Sequence, residues 1–294
     1  MVRELAVLAA LGTAFVSSGA PAAATASRLE GARTVARPDH LSTAETRALD
    51  NLLERSGLQA QLESLSAGVR VKFLRGRSPL SGQDRVTIDR IVSERFAAEA
   101  LYARIRLEFE RNLDAAKLAK VLAWFDSPLG RRITGLELAA PVSDGGLDAV
   151  ADLGHDRLAP RRLGLIERLD TGGGASETTV DVTMAILRSL TRAFQPAMPA
   201  VARPSRGQLE EEFARARNRT LEQIKHACLV GMLSAYRSLS EQELEQYVQF
   251  VESEAGQWYM SVMNSTLLTA VDVAAEATAA ELVTAVPQLV GDLR

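Results

Sequence analysis

Twice in this chain an apolar helical run ends at an aromatic residue, a serine and, three positions later, a glycine. The first instance is Trp124, Phe125, Asp126, Ser127, Pro128, Leu129, Gly130; the second, 126 residues on, is Phe250, Val251, Glu252, Ser253, Glu254, Ala255, Gly256. These residue types describe a corner between two helices. Serine accepts a hydrogen bond from the free N–H three residues ahead, proline fits the first helical position where its missing N–H is not needed, and glycine lets a second stretch of backbone come close. Each corner is preceded by a capped helix. Asp114 caps the first, with Leu113 and Leu118 spaced as a hydrophobic staple; Ser240 and Glu243 form a capping box in the second, flanked by Leu239 and Leu244. Aligning 113–133 with 239–259 gives only four identities, so the helical phase carries the match: Val121, Trp124, Phe125 and Ile133 fall opposite Tyr247, Phe250, Val251 and Tyr259. A chain constrained to turn like this at both places is predicted to be all-α, as two tandem, related helical bundles of about five helices each.

Composition agrees. Aromatic residues are 5% of the 294, and Ala, Leu, Glu, Arg and Gln, which lose least on entering a helix, dominate long stretches. The net charge of −3 supplies no basic field for neutralising phosphates, which argues against nucleic acid as a partner. Arg3, the apolar run Leu5 to Val16 and the small residues Ala24, Thr25 and Ala26 have the order of a signal peptide, with cleavage expected after Ala26. The run is shorter than the roughly 20 residues a bilayer span needs, so the expectation is release into the periplasm or outside the cell, with no transmembrane segment. The lone Cys228 lies in an apolar row with Leu221 and Ile224, and no intramolecular disulfide is possible.

The expected organisation is a signal peptide over 1–26, a disordered tether over 27–40, a first helical repeat over 41–141, a linker with a short helix over 142–160, and a second repeat over 161–294. Within the first repeat, Ser42 and Glu45 start a helix that Gly57 ends. Leu58, Leu62, Leu65, Val69 and Phe73 mark a second helix, and one long helix is expected from Gln83 to Arg111. The plan restarts where Leu165, Ile166, Glu167 and Arg168 echo Leu52, Leu53, Glu54 and Arg55. Gly172 to Gly174 read as a flexible hinge, with Ser176 capping the helix that follows. A Pro-rich connector from Pro196 to Pro204 leads to a long helix over 207–236, and the last helical region is expected to run with interruptions to Pro287.

From the capped helix through the corner, the sequence resembles a bacterial family of secreted proteins, the domain of unknown function 2059 family. Trp124, Phe125, Ser127, Pro128 and Gly130 carry the resemblance in the first copy. Leu239, Ser240, Glu243, Leu244, Phe250, Ser253 and Gly256 carry it in the second, where Glu254 replaces proline. The resemblance covers about 50 residues in each half; it implies an exported, all-helical protein and brings no catalytic residue.

Residues with chemical potential have simpler structural roles available. Ser127 sits in no Gly-x-Ser-x-Gly or Ser-x-x-Lys spacing and reads as a cap. His40, His155 and His226 are scattered, and His226 and Cys228 lie roughly 200° apart on a helix, so no metal site is expected. Nor do Gly172 to Gly174 form a phosphate loop, since the Lys and Ser or Thr are missing. No cofactor is expected. The pairs Arg131 with Arg132 and Arg161 with Arg162 suit solvent, an acidic partner or anionic lipid. The aromatic residues near the corners suit a core, or a cleft for an apolar molecule. The expected function is therefore a non-catalytic binding or interaction module of the bacterial envelope, its partner an unknown envelope protein. The alternative is a carrier of a lipid or other small apolar ligand, and an unrecognised enzyme comes last.

Overall fold

A computed structural model describes residues 41–75, 81–140, 159–197 and 203–286. The signal peptide, the tether with His40, the linker helix with His155, Pro141 and the stretch from Pro287 lie outside the described residues.

The protein is all-α. The first half contains α1 (Thr43–Arg55), α2 (Leu58–Arg75), α3 (Gly82–Arg95), α4 (Ala98–Arg111), α5 (Ala115–Asp126) and α6 (Pro128–Ala139). The second contains α7 (Pro160–Gly173), α8 (Ala175–Phe194), a 3-10 turn over Gln195–Ala197, α9 (Arg206–Ala235), α10 (Glu241–Glu252) and α11 (Glu254–Ala285). Local chemistry sets most of the boundaries. Ser42 with Glu45, Ser205 with Gln208 and Ser240 with Glu243 form reciprocal capping boxes, and Asp114 accepts from the N–H groups of Ala116 and Lys117.

Four expectations require correction. The helix expected from Gln83 to Arg111 is two helices. Phe96 leaves helical geometry with its ring fully buried, and its carbonyl accepts from the Ser66 hydroxyl of α2. In the second half the corresponding helix, α9, runs unbroken for 30 residues. The glycine triplet is no hinge: Gly172 and Gly173 belong to α7, and only Gly174 is left-handed, at φ +67°. Ser176 is not the cap it was expected to be, because it lies inside α8; its N–H and hydroxyl donate to the buried Asp170, which ties α8 back to α7 at 3.0 and 2.8 Å. Finally, α11 is continuous over 32 residues, ending at Ala285 with Val286 as its cap.

One core joins the halves. The main apolar cluster includes Leu52, Ile91, Phe109 and Ile133 from the first half and Ile166, Tyr259, Val271 and Leu282 from the second. Its axis is α11, which packs against α3, α4 and α5 as well as α7, α8 and α10. Cys228 lies apart, buried with Val180, Met184 and Ile224 between α8 and α9.

Candidate functional site

The two corners have the same shape. Ser127 (φ −67°, ψ 153°) and Ser253 (φ −67°, ψ 157°) each end one helix and cap the next. Their hydroxyls accept from the N–H groups of Gly130 at 2.9 Å and Gly256 at 3.0 Å. A Cβ on Gly130 would collide with the Trp124 carbonyl, and a Cβ on Gly256 with the Phe250 carbonyl. The close backbone is thus the last turn of the arriving helix. Glu254 fills the proline position of the second corner without altering it; there its carboxylate faces the Lys117 ammonium at 3.1 Å.

Equivalent interactions recur away from the corners. Arg55 pairs with Asp126 in one half, and Arg168 with Glu252 in the other. Two left-handed glycines, Gly57 (φ +69°) and Gly174 (φ +67°), face Leu138 and Asn264, themselves 126 positions apart. Reciprocal contacts cross between the halves. Trp258 Nε1 donates to the Asn112 carbonyl at 3.3 Å, and Arg132, 126 positions earlier, donates to the Ser238 carbonyl at 2.8 Å.

The corners meet through their aromatic residues. Trp124 and Phe250, which occupy equivalent positions, stack at 4.5 Å between centroids and 5° between planes, and Tyr247 also stacks on Trp124 at 5.8 Å. Phe125 packs edge-on against both Phe250 and Tyr259. These arrangements are the offset-stacked and edge-to-face geometries that ring quadrupoles favour. Trp124, Phe125 and Phe250 remain partly exposed, so the seam opens to the surface.

Behind the seam lies Glu137, one turn after Ile133 on α6. Its Oε1 accepts from the hydroxyls of Tyr236 at 2.7 Å and Tyr247 at 2.9 Å. Burial disfavours charge on this carboxylate and the two phenols favour it. Tyr259 is fully buried nearby, and burial pushes its phenol above the ordinary value. Between these groups is a cavity of about 10 Å³ that Ser56, Gln61 and Thr134 also line; that is room for about one water molecule.

Comparison of the chain with protein-family models, with curated proteins and with solved structures finds no match in any of the three. The seam must be read from its own chemistry.

Of the corner residues singled out from the sequence, Trp124, Phe125 and Phe250 meet in this seam, while Ser127, Pro128, Gly130, Ser253 and Gly256 form the two turns that follow them in the chain. Ser240 and Glu243 form the box that starts α10, and Glu243 also receives Arg132 from α6. The arginine pairs are engaged within the fold. Arg131 donates to the Asp126 carbonyl, Arg161 faces Glu241 at 3.4 Å, and the buried Arg162 donates to the carbonyls of Tyr236 at 2.6 Å and Leu239 at 2.9 Å. Arg162 thereby supplies positive charge to the carbonyl end of α9. His226 is exposed, and among the described residues no cluster of three or more His, Cys, Asp and Glu is placed to hold a metal ion. Nor, among the described residues, is any helix long and apolar enough to cross a membrane.

Sequence reasoning missed Glu137, Tyr236 and Gln61. Glu137 had a signal: it continues the inward phase of Ile133 at i+4, where a carboxylate is out of place unless something inside receives it. Gln61 had none, because a glutamine beside Leu62 looks like the ordinary polar edge of an amphipathic helix.

Proposed function

We propose that the protein is an exported, non-catalytic binding module, made by tandem duplication of a corner-bearing helical unit and related to the domain of unknown function 2059 family. The observation that carries this reading is the seam itself. Equivalent rings of the two units stack over a carboxylate held by two tyrosines, and they leave a recess that exists only where the units meet. Recognition needs an opening, aromatic contact area and a few fixed polar groups, and all three are present there. Duplication of corner, caps and ion pairs is what a scaffold requires twice; a reaction centre would not need its parts copied.

Native mass spectrometry of the chain released by cells tests the reading. The released protein should begin at Ser27 and carry a ligand or protein partner that Trp124→Ala reduces. A cell-retained chain with an intact amino terminus would overturn export, and associations indifferent to Trp124 would overturn the seam as their site. The partly exposed rings also suit the second reading, a carrier of a lipid or other apolar ligand. Against a cavity of about 10 Å³, however, an acyl chain enters only if the stacked rings part. A retained lipid mass in the same experiment would favour the carrier.

A further inference from the structure

Two small cavities lie where the halves meet, and they share a wall made by Tyr247 and Met260. Each has a volume of about 10 Å³, room for about one water molecule. Their linings differ in kind. One is surrounded by Leu169, Gly173, Met232, Tyr236 and Val251, and its polar groups are already bonded: both tyrosine hydroxyls donate to Glu137, and the Gly173 carbonyl accepts from Asn264. The other, behind the seam, is bordered by Ser56, Gln61, Thr134 and Tyr259. Gln61 is 7% exposed; its amide nitrogen donates to the Ser56 carbonyl at 3.2 Å, and its Oε1 is buried with no hydrogen-bond partner among the described residues. Turning the amide over would set Oε1 against the Ser56 carbonyl, acceptor against acceptor, so the orphaned atom is an acceptor that calls for a donor. The hydroxyls of Thr134 and Tyr259, which can give or take a hydrogen bond, border the same space.

We propose that the cavity behind the seam binds one ordered water molecule, which donates to Gln61 Oε1 and completes its bonding with the hydroxyls of Thr134 and Tyr259, while the apolar neighbour stays dry. The water joins side chains of α2 and α6 to one of α11 and so bridges the two halves inside their shared core. Nothing is asked of Glu137, whose carboxylate Tyr236 and Tyr247 already engage. No open channel is needed either: water exchanges through brief local openings, and the closed stack of Trp124 on Phe250 makes its stay long. The inference goes beyond the recognition reading of the seam and does not rest on it.

Deuteron magnetic relaxation dispersion of the full chain and of Gln61→Met counts the water molecules held longer than the protein takes to tumble, and water-selective nuclear Overhauser spectra of the native chain locate them. Cross-peaks are expected from water to the methyl groups of Ile133, which lines the polar cavity, and none to those of Leu169, which lines the apolar one. Gln61→Met keeps the length of the side chain without its carbonyl, and the dispersion amplitude should fall by the share of about one water. If Gln61→Met does not fold, the cross-peaks of the native chain decide. Absence of the Ile133 cross-peaks, equal cross-peaks to Leu169, or an amplitude unchanged in Gln61→Met overturns the inference. A seam that recognises nothing would leave the bound water in place, so the two readings fail separately.

Discussion

Gly130 and Gly256 are glycines because a carbonyl occupies the place of their side chains. The contact is with backbone, which cannot rotate away. Gly130→Val and Gly256→Val should each destabilise by at least about 1–3 kcal/mol through forced overpacking, measured as a fall in urea midpoint at unchanged slope. A shift of only a few tenths would mean the corner opens at little cost. Ser240 carries a smaller load: its hydroxyl accepts from the Glu243 N–H at 3.2 Å, and Ser240→Ala should cost about 1 kcal/mol. An unchanged melting temperature would count against that cap. Such residues were legible in the sequence because their roles are local; a cap or corner needs only its own few neighbours. Glu137 and Gln61 were not, since what makes them unusual is the company of Tyr236, Tyr247 and Ser56, and the two tyrosines lie 99 and 110 positions from Glu137.

Between elements, the decisive contact is Trp124 of α5 against Phe250 of α10. A double-mutant cycle with Trp124→Leu and Phe250→Leu should give a coupling of about 0.5–1.5 kcal/mol, the range for well-placed ring pairs. Zero coupling would mean that the two units merely lie side by side. The exposed pairs Arg55 with Asp126 and Arg168 with Glu252 serve a different purpose. Side chains 42–46% exposed gain little from pairing in water, so these bridges mark register more than they stabilise. Helix starts were legible wherever a serine or aspartate stood at the cap. Breaks were harder. The chain leaves helical geometry at Phe96 without glycine or proline, where the ring is fully buried and the carbonyl is held by Ser66 of α2, and nothing within 83–111 announces that. The same limitation made Gly172 and Gly173 look like a hinge. Helix α7 keeps them because Asp170 and Ser176, six positions apart, fasten its end to α8.

At the scale of the molecule, a core shared by both halves implies one cooperative transition. Urea curves followed by tryptophan fluorescence and by far-ultraviolet circular dichroism should coincide, and separated midpoints would contradict the shared core. Acid should weaken it in a defined direction. Glu45 is held below the usual carboxylate value by the Ser42 hydroxyl, Asp114 by the Lys117 N–H, Glu243 by the Ser240 N–H, Glu252 by Arg168 and Glu281 by Arg95. Groups depressed on folding stabilise fully above their unfolded values and lose that contribution as pH falls through the folded ones. Stability should therefore be level from about pH 7 to 5 and decline below about pH 4. Denaturant midpoints that rise on acidification would refute the assignment. The all-α class was legible from composition and caps; the shared core was not, because periodicity shows that a helix has an inner face without naming the helix it meets. That shared core also sets an order of events. The helix around which everything else closes is α11, the last of the described elements to be synthesised. Until residue 285 has been made, α3, α4, α5 and α8 have their earlier neighbours α1, α2 and α9 to pack on but lack the helix that joins them, so the two halves acquire a common interior only with the last stretch of chain.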